Sequence, residues 1–422
     1  MTAGGVAAPP RHLLAVLLCV VPLSQIPLDI YTPALPEMVV DLQSTSTAMQ
    51  NTVTAYMLGL SLGFIPVGVL ADAWGRRRVL LVCLGLVIVA SLLCASAGSV
   101  PVLLAGRFLQ GLAACACMVL SYAVAADCFR GAKLTSVSGV LGAAWGLAPV
   151  LAPAVGGVLV QFMSWRAIFV LIAVMVALVG ILVAFALPET LAPEKRTPVA
   201  VGATWQTATA TLGHPLFLCF VLVFGLMAAA QLTFGVAGPF LYQDGLGFAP
   251  AAYGAVALAV GMANLAGELG CGYFALRTTT RRLAFAALAV FGAGAAVLVV
   301  SAAMIGMNAW ALTIGAALAL AGCGVLCPQA YGLALGLFTR NIGLVGGIAT
   351  TVSYLVVSGA MALVGVLPEN SQATLGWLYV GCGAAALALL GWATSSRREV
   401  AKRPSPDPRP SPEGSTKDAH DH

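Results

Sequence analysis

The feature that most constrains this chain is a predominantly apolar run of about 20 residues that recurs twelve times. That is the length a helix needs to cross roughly 30 Å of hydrocarbon. The runs lie near residues 13–33, 48–71, 79–97, 102–126, 135–160 and 165–187, then 215–238, 250–276, 283–303, 309–337, 342–366 and 374–394. Composition agrees with a lipid solvent. Of the 422 residues, 60% are hydrophobic and 8% charged, against about 25% charged in soluble domains. Mean hydropathy is +0.98. The expected fold is an all-α membrane protein.

The first run begins just after Arg11, as a signal peptide does, but shows no small-residue cleavage pattern. It continues into Leu28-Asp29-Ile30-Tyr31-Thr32-Pro33 without a long polar break. It reads as a retained first helix.

The longest internal polar segment, 188–213, divides the runs into six and six. This predicts an N-terminal half over 1–187, a central loop over 188–213, a C-terminal half over 214–394 and a disordered tail over 395–422. The halves echo each other. Gly68-Val-Leu-Ala-Asp72-Ala-Trp-Gly75-Arg76-Arg77-Arg78-Val79 closes helix 2, and Gly272-Tyr-Phe-Ala-Leu276-Arg-Thr-Thr-Thr280-Arg281-Arg282-Leu283 closes helix 8. A six-helix unit used twice is a transporter plan, with the substrate site between the halves near the midplane.

Basic residues set the orientation. With the amino terminus in the cytoplasm, cytoplasmic loops and tail hold 18 of the 20 Lys and Arg residues. The exceptions are Arg166, in a short outer loop, and Arg107, inside helix 4. Both termini are therefore expected in the cytoplasm. A net charge of +5 spread over loops does not suggest nucleic acid. The eleven cysteines, Cys128 excepted, fall in apolar segments and read as packing rather than a disulfide framework. No metal site or cofactor is expected, and Asp418-Ala-His-Asp-His422 reads as a polar tail.

Ionisable groups at membrane depth need a reason. Three qualify: Asp29, Arg107 and Glu268. At about 1.5 Å per residue, Asp29 lies roughly 6 Å and Arg107 roughly 8 Å from the outer ends of their helices. Similar depth and opposite sign suit either a structural ion pair or a carboxylate that loads and releases protons beside a cation. Glu268, roughly 12 Å from the inner end of helix 8, either lines the inner cavity or has a structural role. Tyr31, Tyr56, Trp145 and Phe234 are candidates for an apolar substrate lining or for ordinary helix packing. Carboxylate clusters or His pairs at a helix end, which a membrane enzyme would need, are not found.

These residues carry a resemblance to the major facilitator superfamily, specifically to its Bcr/CflA-type drug:proton antiporters. The loop Gly68-x-Leu70-Ala71-Asp72-x-x-Gly75-Arg76-Arg77 resembles the superfamily's gating motif, with Ala73 where a basic residue is usual. The resemblance implies a cytoplasmic charge latch with Asp127 as partner; mere topology-setting charge is the alternative. Leu103-x-x-x-Arg107-x-x-Gln110-Gly111-x-Ala113-Ala114 is similar to the proton-linked motif. Gly139 followed by Pro153-x-x-Gly156-Gly157 is similar to the antiporter motif, with Ala148 and Ala152 replacing two glycines; plain close packing would use the same residues. Asp29-Ile-Tyr31-x-Pro33-x-Leu-Pro36 looks like the drug-exporter subgroup. The resemblance implies a monomeric, proton-coupled exporter of small lipophilic molecules in a bacterial inner membrane. An uptake symporter or metabolite exporter on the same fold is the alternative.

Overall fold

The computed structural model describes residues 12–196, 201–338, 342–364 and 371–402. Its twelve helices long and apolar enough to cross a membrane are helix 1 (Leu13–Asp41, in pieces), helix 2 (Ser46–Trp74), helix 3 (Arg76–Ala95), helix 4 (Val100–Cys128), helix 5 (Gly131–Leu159) and helix 6 (Trp165–Ala186), then helix 7 (Pro215–Gly245), helix 8 (Pro250–Ala275), helix 9 (Thr280–Ile305), helix 10 (Ala309–Leu335), helix 11 (Ile342–Val364) and helix 12 (Gln372–Lys402). Arg76 and Arg130 mark one end of the bundle, here the basic end. Asp41, Arg166 and Gln243 mark the opposite end. Large apolar side chains such as Val82, Phe185 and Trp377 face outward, as a lipid-contacting surface requires.

Helix 1 departs from expectation. It runs to Asp41 rather than stopping near residue 33, and it is broken. Helical pieces Leu13–Val20, Ile26–Asp29 and Leu35–Asp41 alternate with 3₁₀ turns Val21–Ser24 and Thr32–Ala34. Pro22, Pro27, Pro33 and Pro36 each lack the N–H that continues a helical ladder. Each also sits in the first turn of the next piece, where that N–H is not needed. The chain therefore restarts instead of ending.

Broken backbone at membrane depth survives only where other groups satisfy its carbonyls. Here they do so one by one. Ser24 Oγ donates to Val21 O at 2.9 Å. Tyr56 Oη donates to Ser24 O at 2.8 Å. Arg107 Nη1 donates to Pro27 O at 2.9 Å. Thr32 Oγ1 donates to Asp29 O at 2.9 Å, replacing the N–H that Pro33 lacks. Gln243 Nε2, from helix 7, donates to Pro33 O at 2.9 Å.

Two other boundaries differ. Helix 12 continues through 395–402, expected as the start of a disordered tail, and the next proline is Pro404. The central segment contains a helix, Val201–Leu212, besides a turn at Pro193–Lys195. The rest of the expected tail, 403–422 with Asp418–His422, lies outside the described residues, as do Arg11 and Arg340.

Each half has its own buried core. That of the N-terminal half also takes in Tyr354, Val357 and Met361 of helix 11 and Val236 of helix 7. The halves meet through helices 2 and 11 and through helices 5 and 8. Without a hydrophobic drive between helices in lipid, close backbone approach over small residues does this work. Gly254 of helix 8 lies against the Pro153 and Ala154 carbonyls where helices 5 and 8 cross.

Candidate functional site

A cavity of about 110 Å³ lies between the halves. Helices 1 and 5 contribute Gln25, Asp29, Trp145 and Pro153 on one side. Helices 7, 8 and 11 contribute Phe224, Gln231, Phe234, Tyr253, Asn264, Glu268 and Tyr354 on the other. The lining is mostly apolar and aromatic, with two carboxyl groups and, among the described residues, no Lys, Arg or His. The cavity is smaller than the roughly 300–1,000 Å³ that encloses a drug-sized ligand.

The two carboxyl groups are held alike. Gln25 Nε2 donates to Asp29 Oδ2 at 2.8 Å, and Asn264 Nδ2 donates to Glu268 Oε1 at 2.9 Å. In each case an amide four residues earlier shares the helix face. Asp29 is buried at the break in helix 1, whereas Glu268 is half-buried beside Gly146 of helix 5. Each half thus presents one carboxyl group to the cavity.

Arg107 does not meet Asp29. The ion pairs among the described residues are Arg76 with Asp72, Arg76 with Asp127, and Arg166 with Asp41. The guanidinium of Arg107 is fully buried inside the N-terminal half, between the rings of Tyr31 and Tyr56, at 4.3 and 4.4 Å from their centroids. Nη1 binds Pro27 O and Gln110 Oε1, and Nε reaches Thr52 O at 3.4 Å. The expected counter-ion contact is absent: the break in helix 1 leaves the Pro27 carbonyl open, and the guanidinium is taken up by it together with Gln110 and Thr52. Tyr31 and Tyr56 do not line the cavity. They form this cage, with Tyr31 Oη on Thr52 Oγ1 at 2.7 Å. Trp145 and Phe234 do line it.

The basic end holds the motif between helices 2 and 3. Arg76 pairs with Asp72, and its Nε lies 3.3 Å from Asp127 Oδ2 at the end of helix 4. Thr190 Oγ1 donates to the same Asp127 oxygen at 3.0 Å. Glu189, just past helix 6, accepts from the backbone N–H groups of Arg76 at 2.8 Å and Arg77 at 3.3 Å. A carboxylate is thus placed on the orphan donors and positive dipole end of helix 3. Gly75 has φ +102°, and an added Cβ there would strike Glu189, so this turn needs glycine twice over. Arg77 donates to Ala184 O. Gly68 has open space around it.

Helix 5 supplies the seam. Gly156 lies against the Ile30 carbonyl of helix 1, and Gly157 against Pro250 and Gly254 of helix 8. Pro153 lines the cavity, while Gly139 has no neighbour within reach of an added Cβ. Gln25, Asn264 and Glu189 were not among the residues expected from the sequence. An amide four residues before each buried carboxyl group was the available signal for the first two. No local signal marks Glu189 as a cap of helix 3: besides the nearby Leu191 N–H, its partners Arg76 and Arg77 are over 110 residues away. Among the described residues, no group of three or more His, Cys, Asp or Glu is placed to hold a metal.

The model of the Major Facilitator Superfamily matches residues 17–361. Among curated relatives, the uncharacterized MFS-type transporter YdgK of Bacillus subtilis (strain 168) is 34% identical over 249 residues, covering 58% of this chain and 62% of that protein. The multidrug resistance protein MdtL of Klebsiella pneumoniae (strain 342) is 27% identical over 373 residues, covering 86% of this chain and 91% of that protein. Among solved structures, a D-xylose-proton symporter superposes with TM-score 0.74 at 15% identity, covering 89% of this chain and 96% of that one. The peptide transporter POT does so with TM-score 0.72 at 16% identity, covering 94% and 97%. These structural likenesses establish the twelve-helix fold. The chain is a member of the Major Facilitator Superfamily, a multi-pass inner-membrane transporter of small molecules rather than an enzyme.

Proposed function

We propose that this transporter is a drug:proton antiporter of the Bcr/CflA type, exporting small lipophilic molecules with both termini in the cytoplasm. The observation that carries the reading is Asp29. It is a carboxyl group at the break of helix 1, bordering an apolar and aromatic cavity that no basic side chain among the described residues lines. Such a group can hold a proton or give it up as substrate enters, which is what exchange requires. The multidrug resistance relatives support an exported, drug-like substrate, and the sorting of Lys and Arg supports the orientation.

In this reading Asp29 carries the proton and Glu268 assists from the other half. Arg107 acts through helix 1, holding the break that presents Asp29 to the cavity. The pairs of Arg76 with Asp72 and Asp127 latch the basic end, and Gly156, Gly157 and Pro153 let helix 5 rock closely against helices 1 and 8. One charge crossing 100 mV supplies about 2.3 kcal/mol, or roughly a 40-fold gradient at about 1.4 kcal/mol per tenfold.

Substrate-induced proton movement in reconstituted vesicles tests this. The wild-type protein should release protons when a transported drug is added and expel the drug in exchange for protons entering down their gradient. Asp29→Asn, which keeps the size and the contact with Gln25, should insert normally and do neither. A variant that still moved protons on drug addition would place coupling elsewhere, with Glu268 the next candidate. Drug accumulation driven by inward proton flow would mean uptake rather than export.

A further inference from the structure

Asn264 is 2% exposed and lines the cavity, yet its Oδ1 has no hydrogen-bond donor among the described residues. Its orientation follows from the neighbouring contact: Nδ2 faces the Glu268 carboxylate at 2.9 Å, leaving the oxygen turned away. A buried acceptor without a donor is costly, and so is an ionised carboxylate at membrane depth without a cation. Both lie on one helical turn of helix 8, at one wall of the cavity. Among the described residues, no basic side chain lines the cavity to serve either of them. The rings of Trp145 and Tyr354 line the same space, and aromatic faces attract cations.

We infer that the Asn264–Glu268 pair is a recognition site for a protonated amine, so that the transported molecules are lipophilic amines carrying an N–H⁺ group. An ammonium N–H supplies what both orphan groups lack, a donor for Asn264 Oδ1 and a charge for Glu268. A quaternary ion would supply the charge alone, and a neutral molecule neither. Gln25 donates to Asp29 in the same way, but its Oε1 is not among the buried acceptors left without a donor, so in this reading the Asn264 side takes the ammonium and Asp29 keeps the proton. The inference rests on the cavity being the substrate site.

A matched set of three naphthalenes tests it, with the protein in lipid nanodiscs and tryptophan fluorescence as the readout. The set comprises 2-(dimethylaminomethyl)naphthalene, its N-methylated quaternary ion, and the neutral 2-(methoxymethyl)naphthalene. The wild-type protein should bind the amine about tenfold or more tighter than the ether, as a charge-assisted hydrogen bond implies, with the quaternary ion between them. Glu268→Gln should bring the amine-to-ether ratio close to one. Asn264→Leu should remove most of the preference for the amine over the quaternary ion. Equal binding of amine and ether by the wild-type protein overturns the inference without any variant. So does a ratio that survives Glu268→Gln. Energised efflux of the same probes from vesicles is scored separately. If amine and ether are expelled alike, the recognition site falls and export stands. If the amine is bound selectively but never expelled, export falls and the recognition site stands.

Discussion

Replacing Arg107 by Lys keeps a buried charge but removes the planar fork, so it isolates what the geometry contributes. The guanidinium reaches Pro27 O, Thr52 O and Gln110 Oε1 while stacked between two tyrosine rings. A lysine ammonium can bond one or two of these acceptors but cannot face both rings. The loss is then about one charge-assisted hydrogen bond, roughly 1.5–3 kcal/mol, and one desolvated cation–π contact, roughly 1–2 kcal/mol. Because neighbouring contacts are not additive, about 3 kcal/mol is the expected net destabilisation. For a chain this long, 1 kcal/mol moves the midpoint by about 1–2 °C, so a drop of about 3–6 °C is expected. The assay is thermal unfolding in detergent, followed by size-exclusion fluorescence. A double-mutant cycle with Tyr56→Leu should show coupling of about 1–2 kcal/mol. If Arg107→Lys melts within about 1 °C of the wild-type protein, the guanidinium is not what holds the break in helix 1. That result would refute the clamp.

Glu189→Gln keeps the shape but removes the charge from the start of helix 3. It should cost about 0.3–1 kcal/mol of stability and slow transport, without altering drug binding measured by fluorescence; unchanged transport rates would sink the latch. Asp72→Asn should likewise impair transport while leaving binding intact, because it sits at the basic end far from the cavity, and loss of binding by a folded, inserted variant would contradict this. For orientation, a membrane-impermeant thiol reagent applied outside should label a single cysteine placed near Asp244 and not one placed near Lys195. The reverse pattern would invert the topology.

Much of the fold is readable in the sequence because lipid leaves the backbone so few options. A run of about 20 apolar residues must close its own hydrogen bonds, and the twelve runs accordingly become twelve helices. The departures have local causes. Pro33 looks like a terminator of helix 1, yet Pro36 lies in the first turn of Leu35–Asp41, where a missing N–H does no harm. The segment after Ser395 is polar and charged, which suggests a tail, but its prolines begin only at Pro404, and helix 12 continues to Lys402. Val201–Leu212 is too short to read as a span and too weakly patterned to stand out inside a polar connector.

The site was legible in depth but not in direction. Counting residues along two helices puts Asp29 and Arg107 at similar depth, and opposite charge then invites a pair. Depth says nothing about azimuth. Helix 1 is not one helix but three pieces offset by 3₁₀ turns, so the usual 100° per residue cannot be carried from Pro27 to Tyr31. Tyr31 therefore faces Arg107 in the half's interior while Asp29, two residues earlier, faces the cavity. The aromatic candidates divide for the same reason. Trp145 and Phe234 lie within unbroken α-helical stretches, Gly131–Leu159 and Pro215–Pro239, and they line the cavity. Tyr31 lies on the broken segment, and Tyr56 lies opposite that segment, with its hydroxyl on Ser24 O. Freed carbonyls draw nearby donors to themselves, because an unmet carbonyl in a dry interior costs more than a misplaced aromatic ring. Wherever prolines break a membrane helix, the nearest Arg, Tyr or Gln should first be assigned to the carbonyls left behind, and only the remainder considered for substrate or proton.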